Sequence, residues 1–190
     1  MDKTYIEERT FKGSNFSESE LPKGDYENCT FISCNFSGAD LSELIFSECE
    51  FSACNMSMAK MTKTALRDVK FKDCKLLGLH FENCSEFLFA VDFQNCILNF
   101  SCFYKRNLKK TKFVNSSLHE TDFTEADLTG ALFDNSDLKM AVFENTELEK
   151  ADFRTAYNYS IDPDSNRIKK AKFSMAGIAG LLHKYDIEID

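Results

Sequence analysis

Cysteine is the residue type in this chain whose number and spacing most readily suggest chemistry. Eight cysteines occur in 190 residues, and Cys29 and Cys34 are separated by the short interval expected of a pair of metal ligands. The same interval of five separates small residues throughout the chain, so the spacing is not particular to cysteine. Buried cysteine behaves as a small hydrophobic side chain, and cysteines in one line do not form the tetrahedron that zinc prefers. We therefore expect free thiols that fill a core.

Other residue types that support catalysis do not come together in the sequence. His80, His119 and His183 are far apart, and none belongs to a metal-binding pattern such as HExxH. Many Asp and Asn residues occupy one repeated position directly before a bulky apolar residue, where they are typical turn and face-capping residues. The sequence has neither a phosphate-binding loop nor a nucleophile elbow. It therefore predicts a protein that is not an enzyme and that uses no metal or cofactor.

The elements that must position these side chains follow a period of five. A bulky apolar residue recurs at every fifth position over 6–81 and, after a slip of two residues, over 88–153. Two residues before it the side chain is usually small, and the residue between is often Asp or Asn, as in Ala39-Asp40-Leu41. This period fits neither an α-helix nor a plain strand. Repeats of this kind must stack on one another to bury a core.

The motif resembles the pentapeptide-repeat family, and the resemblance covers about residues 6–153. It implies an all-β fold, a right-handed quadrilateral β-helix in which four repeats form one square coil and the central and small residues point inward. Every fourth central residue should then fall in one column. One such column consists entirely of phenylalanine on both sides of the slip: Phe11, Phe31, Phe51, Phe71, Phe93, Phe113, Phe133 and Phe153. We expect about seven to eight coils at a spacing of about 4.8 Å, with a small loop at the slip near 82–87.

The loss of the rhythm divides the chain into a solenoid, residues 1–157, and a C-terminal unit, residues 158–190. Turn-forming residues follow Tyr157, and units of the repeat return around Ile168 and Phe173. Ser174 is then expected to be the N-cap of a short α-helix. Residues 186–190 alternate as a terminal strand does. The apolar residues at helical spacing include Ile178, Leu181, Leu182 and Tyr185.

This C-terminal unit resembles the tail of the quinolone-resistance branch of the family, in which a short helix and a terminal strand join two protomers end to end. The resemblance implies a homodimer formed through the C-terminus, with the four apolar residues just named as candidate contacts. Covering the last coil is a second role, because an open β-helix end exposes unpaired backbone groups.

Nothing in the chain indicates a membrane protein. No apolar run approaches the roughly 20 residues needed to cross a bilayer, and residues 1–10 are charged and lack the apolar segment of a secretion signal. We therefore expect a cytoplasmic protein without membrane contact.

Charge is banded along the sequence and, in a solenoid, along the axis. The net charge is −7 over residues 1–54, +6 over 55–112, −7 over 113–157 and zero over 158–190. We call the bases of the second band the basic belt; they are Lys60, Lys63, Arg67, Lys70, Lys72, Lys75, Lys105, Arg106, Lys109, Lys110 and Lys112.

Two functions are compatible with this pattern. The first is a non-enzymatic interaction scaffold with an unknown protein partner. The second is implied by the resemblance: quinolone-resistance pentapeptide proteins imitate duplex DNA and bind type II topoisomerases, here DNA gyrase or topoisomerase IV. The acids expected to contact such a partner line one corner of the rod: Asp122, Glu125, Asp127, Glu144, Glu147 and Glu149. The basic belt leaves direct nucleic-acid binding open as well.

Overall fold

The computed structural model describes residues 4–188, and it is a right-handed quadrilateral β-helix made almost entirely of short parallel strands and turns. Eleven strands are long enough to be assigned: β1 (Thr4–Glu7), β2 (Thr10–Lys12), β3 (Gly24–Glu27), β4 (Thr30–Ile32), β5 (Ile45–Ser47), β6 (Glu50–Ser52), β7 (Ala65–Arg67), β8 (Val69–Lys72), β9 (Val91–Gln94), β10 (Lys112–Val114) and β11 (Leu132–Asp134).

The strands form two parallel sheets on adjacent sides of the square. One sheet has the order β1-β3-β5-β7, and the other has the order β11-β10-β9-β8-β6-β4-β2. The remaining two sides are held by single parallel bridges, such as Asn35↔Asn55 and Asp122↔Val142. Most partners are 20 residues apart, as the four-repeat coil predicts.

Each side of the square has its own column of central residues, and we number the faces in chain order. The first face carries Ile6, Tyr26, Phe46, Leu66, Leu108, Leu128 and Leu148, and the second carries the phenylalanine column. The third face carries Phe16, Phe36, Met56, Leu76, Leu98, Leu118 and Leu138. The fourth face carries Leu21, Leu41, Met61, Phe81, Phe103, Phe123 and Phe143.

The phenylalanine column of the second face is one continuous stack. Ring centroids from Phe11 to Phe153 are 4.7 to 5.4 Å apart, with interplanar angles of 5° to 16°. Phe173 extends the stack by one more ring at 5.3 Å. Rings of the fourth face meet this column edge-on, as Phe103 does with Phe113 at 6.1 Å and 83°. The predicted register, including its passage through the slip, is confirmed.

Most of the cysteines occupy the small inward position two residues before a central residue, which explains why they are buried. Seven of the eight are buried, Cys102 is partly exposed, and all eight are free thiols. The buried thiols and hydroxyls donate hydrogen bonds to backbone carbonyls of the coil before, as Cys74 does to Phe51 and Thr146 to Phe123. Burial raises the pKa of Cys49 to about 12, so its thiol stays protonated and unreactive at neutral pH.

The corners of the square are formed by the second residue after each central one, which adopts the left-handed backbone conformation. Gly38 and Gly130 have φ values of 66° and 69° there, and many non-glycine residues, for instance Asn115 at 49°, do the same. Asn, Asp and Gly tolerate this region best. The left-handed residue turns the chain through each corner within two residues, which is why the repeat is as short as five.

The slip is a loop of residues 84–90 that leaves the coil register intact, as expected. One detail of the sequence interpretation is wrong: Leu88, counted as an inward central residue, has φ 57° and is 62 % exposed. Phe89 packs against the core instead, with its ring 6.4 Å from that of Phe81. The loop contains the two extra residues and ends before β9 begins. As a result Phe89, one residue after Leu88, takes the inward position.

The C-terminal unit differs from the predicted α-helix. It forms two 3₁₀ helices, Ile178–Leu181 and His183–Tyr185, and Ser174 Oγ accepts a hydrogen bond from the Gly177 amide as an N-cap does. Glycine lowers helix propensity, and Gly180 lies so close to Tyr159 that a Cβ there would be 2.5 Å from its carbonyl oxygen. This tight packing favours the narrower helix. Residues 186–188 form no strand, and the rest of the predicted terminal strand, 189–190, lies outside the described residues.

Candidate functional site

The predicted acidic residues lie on the fourth and first faces, and most of them surround the corner between these two faces. Successive corner amides there donate to the next coil, from Lys105 to Thr124 and from Glu125 to Glu144. On the first face, Asp127 bridges to Glu147 in the next coil. The structure therefore brings Glu125, Asp127, Glu144 and Glu147 onto adjoining rows of one edge. Asp122 lies on the fourth face toward its corner with the third, and Glu149 lies on the first face toward its corner with the second.

Three of these acids are neutralised by bases from neighbouring coils, a pairing that the sequence interpretation missed. Lys105 Nζ lies 3.4 Å from Glu125 Oε2, and Lys109 Nζ lies 3.0 Å from Asp127 Oδ2. Arg167 Nη1 lies 3.0 Å from Glu147 Oε1. A spacing of 18 or 20 residues between acid and base in the sequence signals this pairing once the coil length is known.

The pKa of Asp127 shows the balance at this edge. Burial, the largest single influence, raises the pKa of the carboxyl, but hydrogen bonds from Thr129 and Lys109 together outweigh it, so the pKa is lowered. The group is therefore ionised at neutral pH. Asp122 is engaged differently: its Oδ1 accepts the Thr124 amide at 2.8 Å.

Glu144 and Glu149 remain as carboxylates without an ion pair among residues 4–188. With Glu125, whose side chain is 42 % exposed despite its lysine, they present the accessible negative charge of this edge. Surface pairs of this kind contribute little to stability. These carboxylates are therefore free to exchange an internal partner for an external one.

The basic belt surrounds the rod and does not form one patch. Lys70, Lys72 and Lys112 line a shallow groove of about 330 Å³ on the second face, together with Glu50 and Asp92.

One belt residue is not on the surface. Arg106 occupies an inward position and is 6 % exposed. Its Nη2 donates to the Glu82 carbonyl, its guanidinium lies 5.7 Å from the Phe89 ring centroid, and Glu86 Oε1 is 4.0 Å away. Arg106 therefore holds the slip loop and is unavailable to a nucleic acid.

The C-terminal end presents apolar side chains beyond what a cap requires. Of the predicted contacts, Ile178 is 42 % and Tyr185 56 % exposed, Leu182 is half-buried, and Leu181 packs against the core. A depression of about 340 Å³ between the last coil and the 3₁₀ helices is lined in part by Tyr159. The end of the rod is covered, and an apolar surface remains outside the cover.

Two classes of site receive no support from the described part of the chain. Within residues 4–188, no three His, Cys, Asp or Glu side chains are placed to bind one metal ion. The same residues contain no helix with the length and apolar character of a membrane span.

A square coil with a filled interior defines a repeat solenoid, in which the accessible side chains of the coils lie in outward-facing rows. Two family models identify the type of repeat. A pentapeptide repeat region matches residues 24–86, and pentapeptide repeats in eight copies match residues 101–139. Together these ranges cover more than half of the chain. The chain belongs to the pentapeptide-repeat family.

Solved structures with the same fold include two trypsin-treated forms of QnrB1, a plasmid-mediated fluoroquinolone resistance protein. One is 18 % identical with a TM-score of 0.58, over 98 % of this chain and 100 % of that chain. The other is 17 % identical with a TM-score of 0.58, over 100 % of both. No curated protein matches the chain. At this identity the likeness establishes the fold.

Proposed function

We propose that this chain is a non-enzymatic binding protein whose outer rows dock onto a protein partner. The filled interior carries the proposal: stacked rings such as Phe93, Phe113 and Phe133 leave the coil without an internal site. Catalytic sites usually occupy an enclosing pocket, whereas the depressions described above are shallow and lie on the outside. The surface instead carries acidic and basic side chains in successive bands along the solenoid axis.

A second candidate names the partner. The acidic band at 113–157, and the fold shared with the fluoroquinolone resistance protein QnrB1, support a DNA mimic that binds the DNA site of gyrase or topoisomerase IV. The pairing of Lys105 and Lys109 with acids reduces the free positive charge of the belt on this edge. This favours a basic protein partner over a nucleic acid.

Reversal of Glu125, Glu144 and Glu149 to Lys should weaken binding to gyrase. Each side chain points away from the core, so folding should be unchanged, and losing this negative edge should lower affinity by about tenfold, or about 1.4 kcal/mol. The salt dependence should become shallower because fewer charges contribute. Biolayer interferometry against gyrase at several salt concentrations measures both effects, and supercoiling assays with ciprofloxacin report protection.

The matched control reverses Glu18, Glu20 and Glu43, which are exposed in the other acidic band and give the same change in net charge. It should bind nearly as the wild type does. Equal losses in the two variants would mean that net charge and not this edge governs binding. If the wild type neither binds a type II topoisomerase nor relieves quinolone inhibition at micromolar concentration, the DNA-mimic candidate is rejected. Affinity capture of another partner then tests the scaffold.

We also propose that two copies associate through the C-terminus. Replacing Ile178 and Tyr185 together by Asp should produce monomers in sedimentation velocity while preserving the cap, because Leu181 and Gly180 make its contacts with the solenoid. Deleting residues 174–190 should give monomers and also lower the melting temperature, since Tyr159 and Phe173 lose their cover.

Phe87→Asp is the control for the added charge, because Phe87 is 65 % exposed in the slip loop far from this end. It should leave the association state unchanged. A wild-type protein that sediments as a monomer at all concentrations would leave capping as the only role of the C-terminal unit.

A further inference from the structure

The corner between the third and fourth faces carries a line of large apolar side chains that the core does not use. Met58, Phe100 and Met140 are 64 %, 58 % and 64 % exposed. Their alignment is fixed by one ladder of hydrogen bonds, in which the amides of Met58, Gly78, Phe100 and Glu120 each donate to a carbonyl of the next coil at 2.9 to 3.0 Å. We call Met58, Phe100 and Met140 the apolar ridge.

Backbone preference does not account for these residues. All three adopt left-handed conformations, with φ of 57°, 61° and 58°, a region that bulky side chains adopt at a cost and that Asn and Gly tolerate. The equivalent corner after the second face follows the preference, with Asn95, Asn115 and Asn135. The ridge residues are thus unfavourable in conformation and also exposed. Contact with a partner would offset both costs.

Gly78 makes the first half of the ridge continuous. It occupies the corner between Met58 and Phe100, and a Cβ at this glycine would be 2.6 Å from Met58 Sδ. The methionine side chain therefore lies across the glycine toward the phenylalanine. The result is an unbroken apolar edge, at a place where a polar side chain would otherwise interrupt it.

The spacing of the ridge selects the shape of the partner. Successive ridge residues are two coils apart, or about 10 Å at the spacing of neighbouring strands. Seven residues of an α-helix advance by about 10.5 Å, which nearly matches this interval. An apolar helix face laid along the corner would therefore meet each ridge residue at the same heptad position, and methionine adapts readily to such surfaces.

The charges beside the ridge select the chemistry of the partner. Glu120 occupies the corner between Phe100 and Met140, is exposed, and has no ion pair among the described residues. At the Met58 end the adjoining row carries Lys60, whereas in the segment from Phe100 to Met140 this row carries Asp122, and Lys139 is the lysine beside Met140. A helix whose flanks carry Lys or Arg is complementary to this segment.

We propose that the apolar ridge is the docking site for a basic amphipathic α-helix of a partner protein, aligned with the solenoid axis. The acids reversed in the topoisomerase test, Glu125, Glu144 and Glu149, lie on the far side of the central column of the fourth face from the ridge. Asp122 is the one candidate acid that borders both sites. The chemistry is that of helix-in-groove recognition, with the ridge in place of the groove.

The test uses a synthetic peptide of about 18 residues with Leu along one face and Lys on the other, and a scrambled peptide of the same composition. Binding is followed on the full chain by the ¹³C-methyl signals of methionine. We expect saturable shifts of Met58 and Met140 with the helical peptide alone and no shift of Met175, which is 87 % exposed at the C-terminal end.

The decisive variant replaces all three ridge residues by Asn, which suits the left-handed backbone. Its melting temperature should equal or exceed that of the wild type, while peptide affinity falls at least tenfold and gyrase binding is unaffected. Leu88→Asn is the control, an exposed left-handed residue at another place. The proposal would be overturned if the triple variant bound the peptide as well as the wild type does or melted at a lower temperature. It would also be overturned if the peptide shifted the Met175 signal, or if the wild type self-associated and the triple variant did not.

Discussion

Replacing Phe113 by Ala should lower the free energy of unfolding by about 3–5 kcal/mol. The ring lies between Phe93 at 5.2 Å and Phe133 at 4.9 Å in its own column, and it meets the edges of Phe103 and Phe123 from the fourth face. Removing it opens a cavity bordered by four rings that the backbone hydrogen bonds of their own coils hold in place, so the space cannot collapse. Equilibrium urea denaturation followed by circular dichroism measures the change.

Phe87→Ala is the matched control, because the same atoms are removed from a ring that is 65 % exposed. The Arg67 guanidinium lies 5.4 Å from the centroid of this ring, so stability should fall by no more than about 1 kcal/mol. A Phe113→Ala protein with the wild-type midpoint would contradict the close packing of the column, and a large loss in the control would show that the loop contributes to the core.

Replacing Arg106 by Ala should destabilise the protein by about 2–4 kcal/mol and release the slip loop. The substitution leaves the Glu82 carbonyl without its donor and removes the guanidinium that packs over Phe89. Alanine fits the inward position, since Ala126 occupies it one coil later and is fully buried. Chymotrypsin should therefore cleave near Phe87 and Leu88 much faster in the variant, which mass spectrometry of the fragments detects.

Arg154→Ala provides the comparison for a surface arginine. Its guanidinium pairs with Asp152 at 2.8 Å, but its side chain is 61 % exposed, so little or no loss of stability is expected. Similar effects of the two substitutions on stability, or an unchanged cleavage pattern in Arg106→Ala, would argue that the loop is held by its backbone bonds, such as that from Ala90 to Leu66 at 3.0 Å.

The fold could be predicted from the sequence because a single rule repeats. Once Phe11, Phe31 and Phe51 fall in one column, the coil length follows, and with it the burial of the small residues and the exposure of the acids. The two-residue slip did not prevent the prediction, because phenylalanine occupies the same position of the coil on both sides of it and so indicates the register. Leu88 was assigned wrongly since periodicity counts residues and does not report which of two apolar neighbours turns inward.

The candidate site was less predictable because it depends on contacts between coils. Whether Glu125 is free or paired is decided by Lys105, 20 residues away, and side-chain length and direction determine the outcome. The sequence places Arg106 among the surface bases because charge usually indicates exposure, yet its contacts with Glu82, Glu86 and Phe89 at the slip allow it to be buried. The C-terminal 3₁₀ helices likewise depend on contact with Tyr159, which helical periodicity alone does not encode.

The four-sided coil also constrains how the chain can change in length. Loss of one whole coil, about 20 residues, would shorten the rod by about 4.8 Å and leave every later residue on its original side. Loss of a single repeat would instead rotate everything after it by a quarter turn, although five residues are a complete unit of the pattern. Such a deletion between Met58 and Phe100 would place these two side chains on different edges, although every buried column would still consist of apolar side chains. Insertions and deletions compatible with function are therefore expected in multiples of four repeats, or as loops like 84–90 that return the chain to the same phase.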